Sequence, residues 1–238
     1  MKPFIITFIS GITTILGIIP TYINSKYKNN IINFSLSFAS SIMITISLLS
    51  LIPESINYIG ISFFNIILLL IFINIGFIIS SYIDKNISTN NSLYKLGIVS
   101  LIGLMLHNIP EGIITFITSS NNIKIGIPLS IAIALHNIPE GISIAIPIYY
   151  STKSHKKAFI YTFIAGFSEL IGGIISYIFL SNYINNFILF IILSITSGIM
   201  IHISLFELLP NTKKNINTII GFILGFIIMF ITIFILRI

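Results

Sequence analysis

The sequence predicts an all-α polytopic membrane protein, a bundle of eight transmembrane helices, and two observations support this fold class. The 238-residue chain is 55% hydrophobic and only 8% charged. Soluble domains carry about 25% charged residues, so lipid must cover part of this apolar surface. Only helices and closed barrels satisfy their backbone in lipid, and barrel strands are segments of about ten residues. The apolar runs here are about twice that length, which favours helices.

Eight apolar runs are each long enough to cross a hydrocarbon core of about 30 Å at about 1.5 Å per residue. The first run resembles a signal peptide, but it is long and lacks a small-residue cleavage site, so we interpret it as a helix. The linkers are short and polar, and we expect one transmembrane domain over residues 1–238. The predicted helices cover residues 4–22, 31–53, 61–83, 94–119, 125–150, 158–180, 186–209 and 217–236.

The basic residues predict the orientation of the bundle. With eight helices both termini lie on one side, and that side carries Lys2, Lys124 and Arg237. The positive-inside rule places the other, lysine-rich side in the cytoplasm and both termini outside. The lysines of the predicted cytoplasmic side are Lys26, Lys28, Lys85, Lys95, Lys153, Lys156, Lys157, Lys213 and Lys214.

Composition also excludes two classes of site. The net charge is +6, but the chain has one arginine and no basic stripe on a polar face, so we expect no nucleic-acid partner. There is no cysteine, which excludes disulfides and thiolate metal ligands.

Three carboxylates mark the interior of the predicted bundle. Glu111, Glu140 and Glu169 fall near the centres of the fourth, fifth and sixth apolar runs. A charge at the bilayer centre costs about 3 kcal/mol on insertion scales. Because no lysine or arginine lies at matching depth, a bound cation is the simplest counter-charge.

The heptapeptide LHNIPEG occurs twice, at residues 106–112 and 135–141. Within each copy the histidine and the asparagine precede the glutamate by four and three residues, which places all three on one side of a helix. Consecutive spanning helices are antiparallel, so the two mid-span copies can meet at one depth. With the carboxylate of the sixth run, the candidate metal ligands are His107, Asn108, Glu111, His136, Asn137, Glu140 and Glu169.

A proline lies inside each copy of the motif. Pro110 and Pro139 each remove a backbone hydrogen bond and push on the carbonyl four residues earlier, that of Leu106 or Leu135. Broken helices occur within membranes where they line a cavity, so the sequence predicts local breaks here. The glycine after each motif glutamate allows a neighbouring backbone to approach closely.

The repeated HNIPEG motif resembles the ZIP family of divalent metal transporters, and its bacterial ZupT-type members in particular. Eight runs, outside termini and a glutamate within GFSELIGG fit the same family, over essentially the whole chain. The resemblance implies a binuclear mid-membrane site bridged by Glu111 and Glu140. The first metal would also use His136, with His107 nearby, and the second would also use Asn108, Asn137 and Glu169.

One departure concerns the second copy of the motif. Many family members carry a Gln-Asp pair where this chain has His136 and Asn137, which changes the charge of the second metal site.

Imidazole and carboxylate ligands without thiolate suit zinc, iron(II), manganese or cobalt. We therefore expect a carrier that takes zinc into the cytoplasm, with the other three ions as further substrates and no catalytic cofactor. The main alternative is an intramembrane zinc hydrolase, which needs an open position for water and a general base. The chain has no HExxH and its site is over-supplied with ligands, so we expect no enzyme. A proton-coupled exchanger or a membrane sensor remains a third interpretation.

Three further polar residues lie near helix ends. Glu54 in LIPES, His202, and Glu207 in FELLP are either interfacial helix ends or stations near a mouth of the route, and their roles stay open. The expected partners are divalent metal ions and the lipid bilayer, and a homodimer also stays open.

Overall fold

The structure is a computed structural model that describes residues 1–23, 25–180 and 185–236. Within those residues it contains helices and no strand. Eight helices are long and apolar enough to cross a membrane, which confirms the predicted fold class. Helices 1 to 8 are Lys2–Tyr22, Lys28–Ile59, Phe63–Asn86, Ser92–Asn121, Ile123–Thr152, His155–Phe179, Asn186–Asn211 and Ile216–Ile235.

Most helices extend a few residues beyond their predicted ends, because polar side chains cap them inside the short loops. Helices 4 and 5 are separated by Asn122 alone, whose Oδ1 accepts a hydrogen bond from the Lys124 backbone at 3.0 Å. Ser62 caps helix 3 in the same way. Arg237, one of the three basic residues predicted on the side of the termini, lies outside the described residues.

Several helices depart from α geometry. Helix 1 tightens to a 3₁₀ helix over Thr13–Tyr22. Helices 2 and 7 widen to π geometry over Ser47–Leu51 and Ile203–Leu208, which end two residues before Pro53 and Pro210. Each proline donates no backbone hydrogen bond and pushes on a carbonyl inside the preceding π segment, that of Leu49 or Phe206. Helix 6 also widens, over Ser176–Leu180, where the segment contains no proline.

The predicted breaks at Pro110 and Pro139 are absent. Helices 4 and 5 run as α-helix through both prolines. Each proline therefore removes one backbone hydrogen bond from its helix without ending it. Membrane helices tolerate such a loss where neighbouring helices pack closely against them.

The helices form two groups by packing. Helices 1, 4, 5 and 6 pack chiefly against one another and form the motif group, and helices 2, 3, 7 and 8 form the flanking group. Glycines allow the closest approaches inside the motif group: Gly112 lies against the backbone of Glu169, and Gly141 lies against that of Thr14. The groups meet mainly where helix 2 crosses helix 5 and helix 4 meets helix 7.

Candidate metal centre

Helices 4 and 5 bring the two LHNIPEG copies together in the middle of the motif group. The imidazole and the carboxylate of each copy are one turn apart, and all four side chains are buried. Since both helices are continuous and close-packed, the four groups are held by rigid elements rather than by loops. The four residues are His107, Glu111, His136 and Glu140.

The two imidazoles converge on one carboxylate oxygen. Glu111 Oε1 lies 3.2 Å from His107 Nε2 and 2.9 Å from His136 Nε2. His107 Nε2 also lies 3.1 Å from Glu140 Oε1, which ties the two copies together. Ligand atoms of His107, Glu111 and His136 all lie within 4.8 Å of one another, a grouping that could hold a metal ion.

The amide groups are fixed by their nitrogen atoms. Asn108 Nδ2 donates to the Ala165 carbonyl of helix 6 at 2.8 Å. Asn137 Nδ2 donates to the Ser10 carbonyl of helix 1 at 3.1 Å and to Glu169 Oε2 at 2.8 Å. With their N–H groups engaged on the protein, both amides keep the oxygen Oδ1 available as a ligand.

Several buried oxygens of the site make no hydrogen bond within the described part of the chain. Leaving a buried polar atom without a partner costs free energy, and it costs more for a charged group. Acceptors without donors at one place are what a bound cation satisfies. The oxygens are Asn108 Oδ1, Glu111 Oε2, Asn137 Oδ1, Glu140 Oε1, Glu140 Oε2 and Glu169 Oε1.

All seven candidate residues are therefore buried in the motif group, but they do not all touch. The two histidines and the motif glutamates form one contact set, and Asn137 with Glu169 forms a second. The Asn108 side chain donates instead to the backbone of helix 6.

Helix 1 is the part of the site that sequence reasoning missed. Its Ser10 carbonyl holds Asn137, and Gly11 packs against the Glu169 side chain. The signal was present as small and polar residues, Ser10, Gly11, Thr14 and Gly17, along one side of an otherwise apolar run. Such residues mark close helix packing in membranes.

A pair of cavities leads from the site toward the end of the bundle that carries Lys124. A cavity of about 40 Å³ touches Glu111, His136 and Glu54. A larger one of about 640 Å³ is lined by Glu54, Tyr58 and Lys124. Glu54 thus lines both spaces, and its carboxylate accepts a long hydrogen bond of 3.4 Å from the Tyr58 hydroxyl.

Residues 80–233 match the model of the ZIP zinc transporter family. The chain is also 35% identical, over 76% of its length and 74% of the relative's, to "Zinc transporter ZupT" of Enterobacter sp. (strain 638). Proteins of the same name from Salmonella heidelberg (strain SL476) and Escherichia coli O127:H6 are 33% and 34% identical, each over 76% of this chain and 75% and 74% of their own lengths. The chain belongs to the ZIP family.

Family membership settles the class of activity. This ZIP-family chain is a multi-pass membrane protein that transports divalent metal, a transporter rather than an enzyme. Its metal is cargo rather than a resident cofactor.

A second polar cluster lies at the opposite end of this ZIP-family chain. Lys95 Nζ contacts Asp84 Oδ1 at 2.7 Å. Glu207 lies within hydrogen-bonding reach of Asp84, and His202 Nδ1 lies 2.9 Å from the Ser80 hydroxyl. Glu207 and His202 could be singled out from the sequence, but the residues around them, Ser80 and Asp84 of helix 3 and Lys95 of helix 4, could not.

Proposed function

We propose that the chain carries zinc into the cytoplasm through the buried site on helices 4 and 5. The observation that supports this most strongly is the convergence of His107 and His136 on one oxygen of Glu111. Two imidazoles with carboxylates and no thiolate are a ligand set that zinc prefers. The relatives at 33–35% identity are named zinc transporters.

We propose further that the site holds two ions, bridged by Glu111 and Glu140. The first ion binds His136, with His107 adjacent. The unpaired oxygens of Asn108, Asn137 and Glu169 support a second position beside it. Three carboxylates carry −3, so one divalent ion leaves −1 and two leave +1, and neither state traps the ion too tightly to be released.

Iron(II), manganese and cobalt are proposed as additional substrates. All three accept imidazole and carboxylate ligands, and the amide and carboxylate oxygens of the second position suit manganese and iron(II) especially. The absence of cysteine from the whole chain argues against copper(I).

The proposed direction follows from the basic residues, with one transmembrane domain over residues 1–238. The lysine-rich end lies in the cytoplasm and both termini lie outside a bacterial inner membrane. The cavities lined by Glu54 then form the outer half of the route. Single cysteines on this cysteine-free chain test the orientation: Ser154→Cys should be shielded from an impermeant thiol reagent added outside, and Asn122→Cys should react. The reverse pattern would overturn the proposed orientation.

A homodimer is proposed through the lipid-facing side of helix 3. Asn74 lies midway along this helix with an exposed side chain, and Nδ2 donates to the Leu70 carbonyl at 2.7 Å. Lipid tails offer its Oδ1 no donor, whereas the same residue of a second copy does. Ile71→Cys should therefore form a disulfide between copies in membranes, and Ile223→Cys on the equally lipid-exposed helix 8 should not. Equal cross-linking at both positions would contradict the pairing.

Zinc uptake by the purified chain in liposomes tests the proposed function directly. We expect uptake above that of protein-free liposomes, reduced by competing manganese, iron(II) and cobalt, with Glu111→Ala as the inactive control. Uptake no greater than in protein-free liposomes, or equal uptake by the control, would overturn the proposal.

A further inference from the structure

The polar cluster at the lysine-rich end contains an ion pair between the two helix groups. Lys95 is in the first turns of helix 4, which carries the first motif copy, and Asp84 is near the end of helix 3 in the flanking group. Their atoms are 2.7 Å apart, and the side chains are 31% and 25% exposed. Glu207 of helix 7 lies beside Asp84, so a second carboxyl group of the flanking group is close to the pair.

A second cation joins the groups at the same end. Lys28 of helix 2 lies over the Tyr150 ring of helix 5, with its ammonium 5.5 Å from the ring centroid. A cation–π contact of this kind is weaker than a short ion pair with a carboxylate. The Lys95–Asp84 pair and the Lys28–Tyr150 contact thus both join the two groups at the lysine-rich end, and the Lys95–Asp84 pair is the stronger.

Movement between the groups is required for release. The motif side chains are almost entirely buried, so a bound ion leaves only if neighbouring segments separate. Inside the motif group, Gly112 brings the backbones of helices 4 and 6 into contact, and Gly141 does the same for helices 5 and 1. This close packing leaves these helices little freedom to move relative to one another. The interface between the groups is where separation is cheapest, and helix 4 carries Lys95 across it.

We propose that the Lys95–Asp84 pair is a latch between the two helix groups, which rests on the proposed transport function. The latch holds the lysine-rich end closed while the site communicates with the cavities on the Glu54 side. It separates when the motif group moves to release the ion. Lys95 is a positioning residue in this step: it acts through the position of helix 4 and does not bind the metal.

The chain supplies a reporter for the latch. Val99 is one turn beyond Lys95 on helix 4, is 1% exposed, and can be changed to cysteine on a cysteine-free background. In Val99→Cys, Lys95→Met should raise the rate of modification by a small thiol reagent by about five-fold, as expected for loss of a partly exposed ion pair that biases a two-state equilibrium. The reagent is applied to the lysine-rich face of membrane vesicles, without metal.

Charge-matched variants separate the latch from a general change in charge. Lys85→Met removes a positive charge one residue from Asp84 and should leave the rate unchanged. The exchange Asp84→Lys with Lys95→Asp should restore the slow rate. Asp84→Asn with Lys95→Met keeps the same net charge without the pair, and should stay fast. If Lys95→Met alone fails to fold, the exchange variant and the double variant Asp84→Asn with Lys95→Met still test the latch.

Transport by the same variants gives a second readout. Loss of the latch should lower the fraction of molecules whose metal site is open to the Glu54 side. The KM for external zinc should therefore rise several-fold, and it should fall again in the exchange variant. Equal thiol reactivity in all variants, or an exchange variant as fast as Lys95→Met, would overturn the latch. Because reactivity is measured without metal, this failure is distinct from failure of zinc transport.

Discussion

The two LHNIPEG copies are identical in sequence, yet their histidines have different surroundings. His107 Nε2 touches both motif glutamates and its side chain is fully buried. His136 Nε2 contacts Glu111 and lines the small cavity that leads to Glu54. The first copy therefore places its imidazole between the two motif glutamates, and the second places its imidazole at the cavity.

The asparagines differ in the same way, because each copy packs on a different helix. Asn108 is held by the Ala165 carbonyl of helix 6, and Asn137 by the Ser10 carbonyl of helix 1 and by Glu169. Each motif glycine faces the corresponding helix. Identical side chains thus make different contacts, because a different helix packs opposite each copy.

The largest expected effect removes the carboxylate that both copies share. Glu111→Ala deprives both histidines of their common oxygen, so zinc uptake in liposomes should fall by at least about 100-fold while the protein still inserts. Glu140→Ala should also nearly abolish uptake, because its carboxylate is the other proposed bridge. Wild-type uptake by either variant, at equal reconstitution, would remove that residue from the site.

The histidines test the asymmetry most directly. His136→Ala removes a ligand that faces the cavity, and zinc uptake should fall by about 10- to 100-fold. His107→Ala removes a group that mainly braces Glu111 and Glu140, and should lower uptake by only about three- to ten-fold. Initial rates over a range of zinc concentrations measure both variants. Equal losses would mean that the two copies serve the site equivalently.

Glu169→Gln separates the two proposed ions. The change keeps the shape of the side chain and its contact with Asn137 but removes one negative charge. The purified variant should bind one metal per chain where the parent binds two, zinc uptake should fall only partly, and manganese and iron(II) should suffer more. Metal content by mass spectrometry measures the stoichiometry. Two ions per chain in the variant, or complete loss of zinc transport, would contradict the assignment.

Some features of the fold and the candidate site could be predicted from the periodicity of the sequence, and others could not. Apolar run length predicted eight helices, and burial cost with the four-residue spacing predicted that the four motif side chains lie together inside the bundle, because both depend on residues within one helix. The difference between His107 and His136 depends on the neighbouring helices, which the sequence of the motif does not contain. The predicted breaks at Pro110 and Pro139 were wrong: both helices continue as α-helix through their prolines, and the helices that pack against them are likewise not contained in the motif sequence.

The smallest expected effect distinguishes the two asparagines. Each variant to alanine removes one amide oxygen from the second metal position, but Asn137→Ala also removes the N–H that holds Glu169 Oε2 at 2.8 Å. A hydrogen bond to a charged group contributes about 1.5–3 kcal/mol, part of which is recovered when Glu169 rebinds to the metal itself. We therefore expect the second-ion affinity for manganese to fall about three-fold more in Asn137→Ala than in Asn108→Ala. Titration of manganese into zinc-loaded protein measures it. An equal loss would mean that Glu169 is positioned by helix 6 alone, and that the second copy gains nothing from its contact.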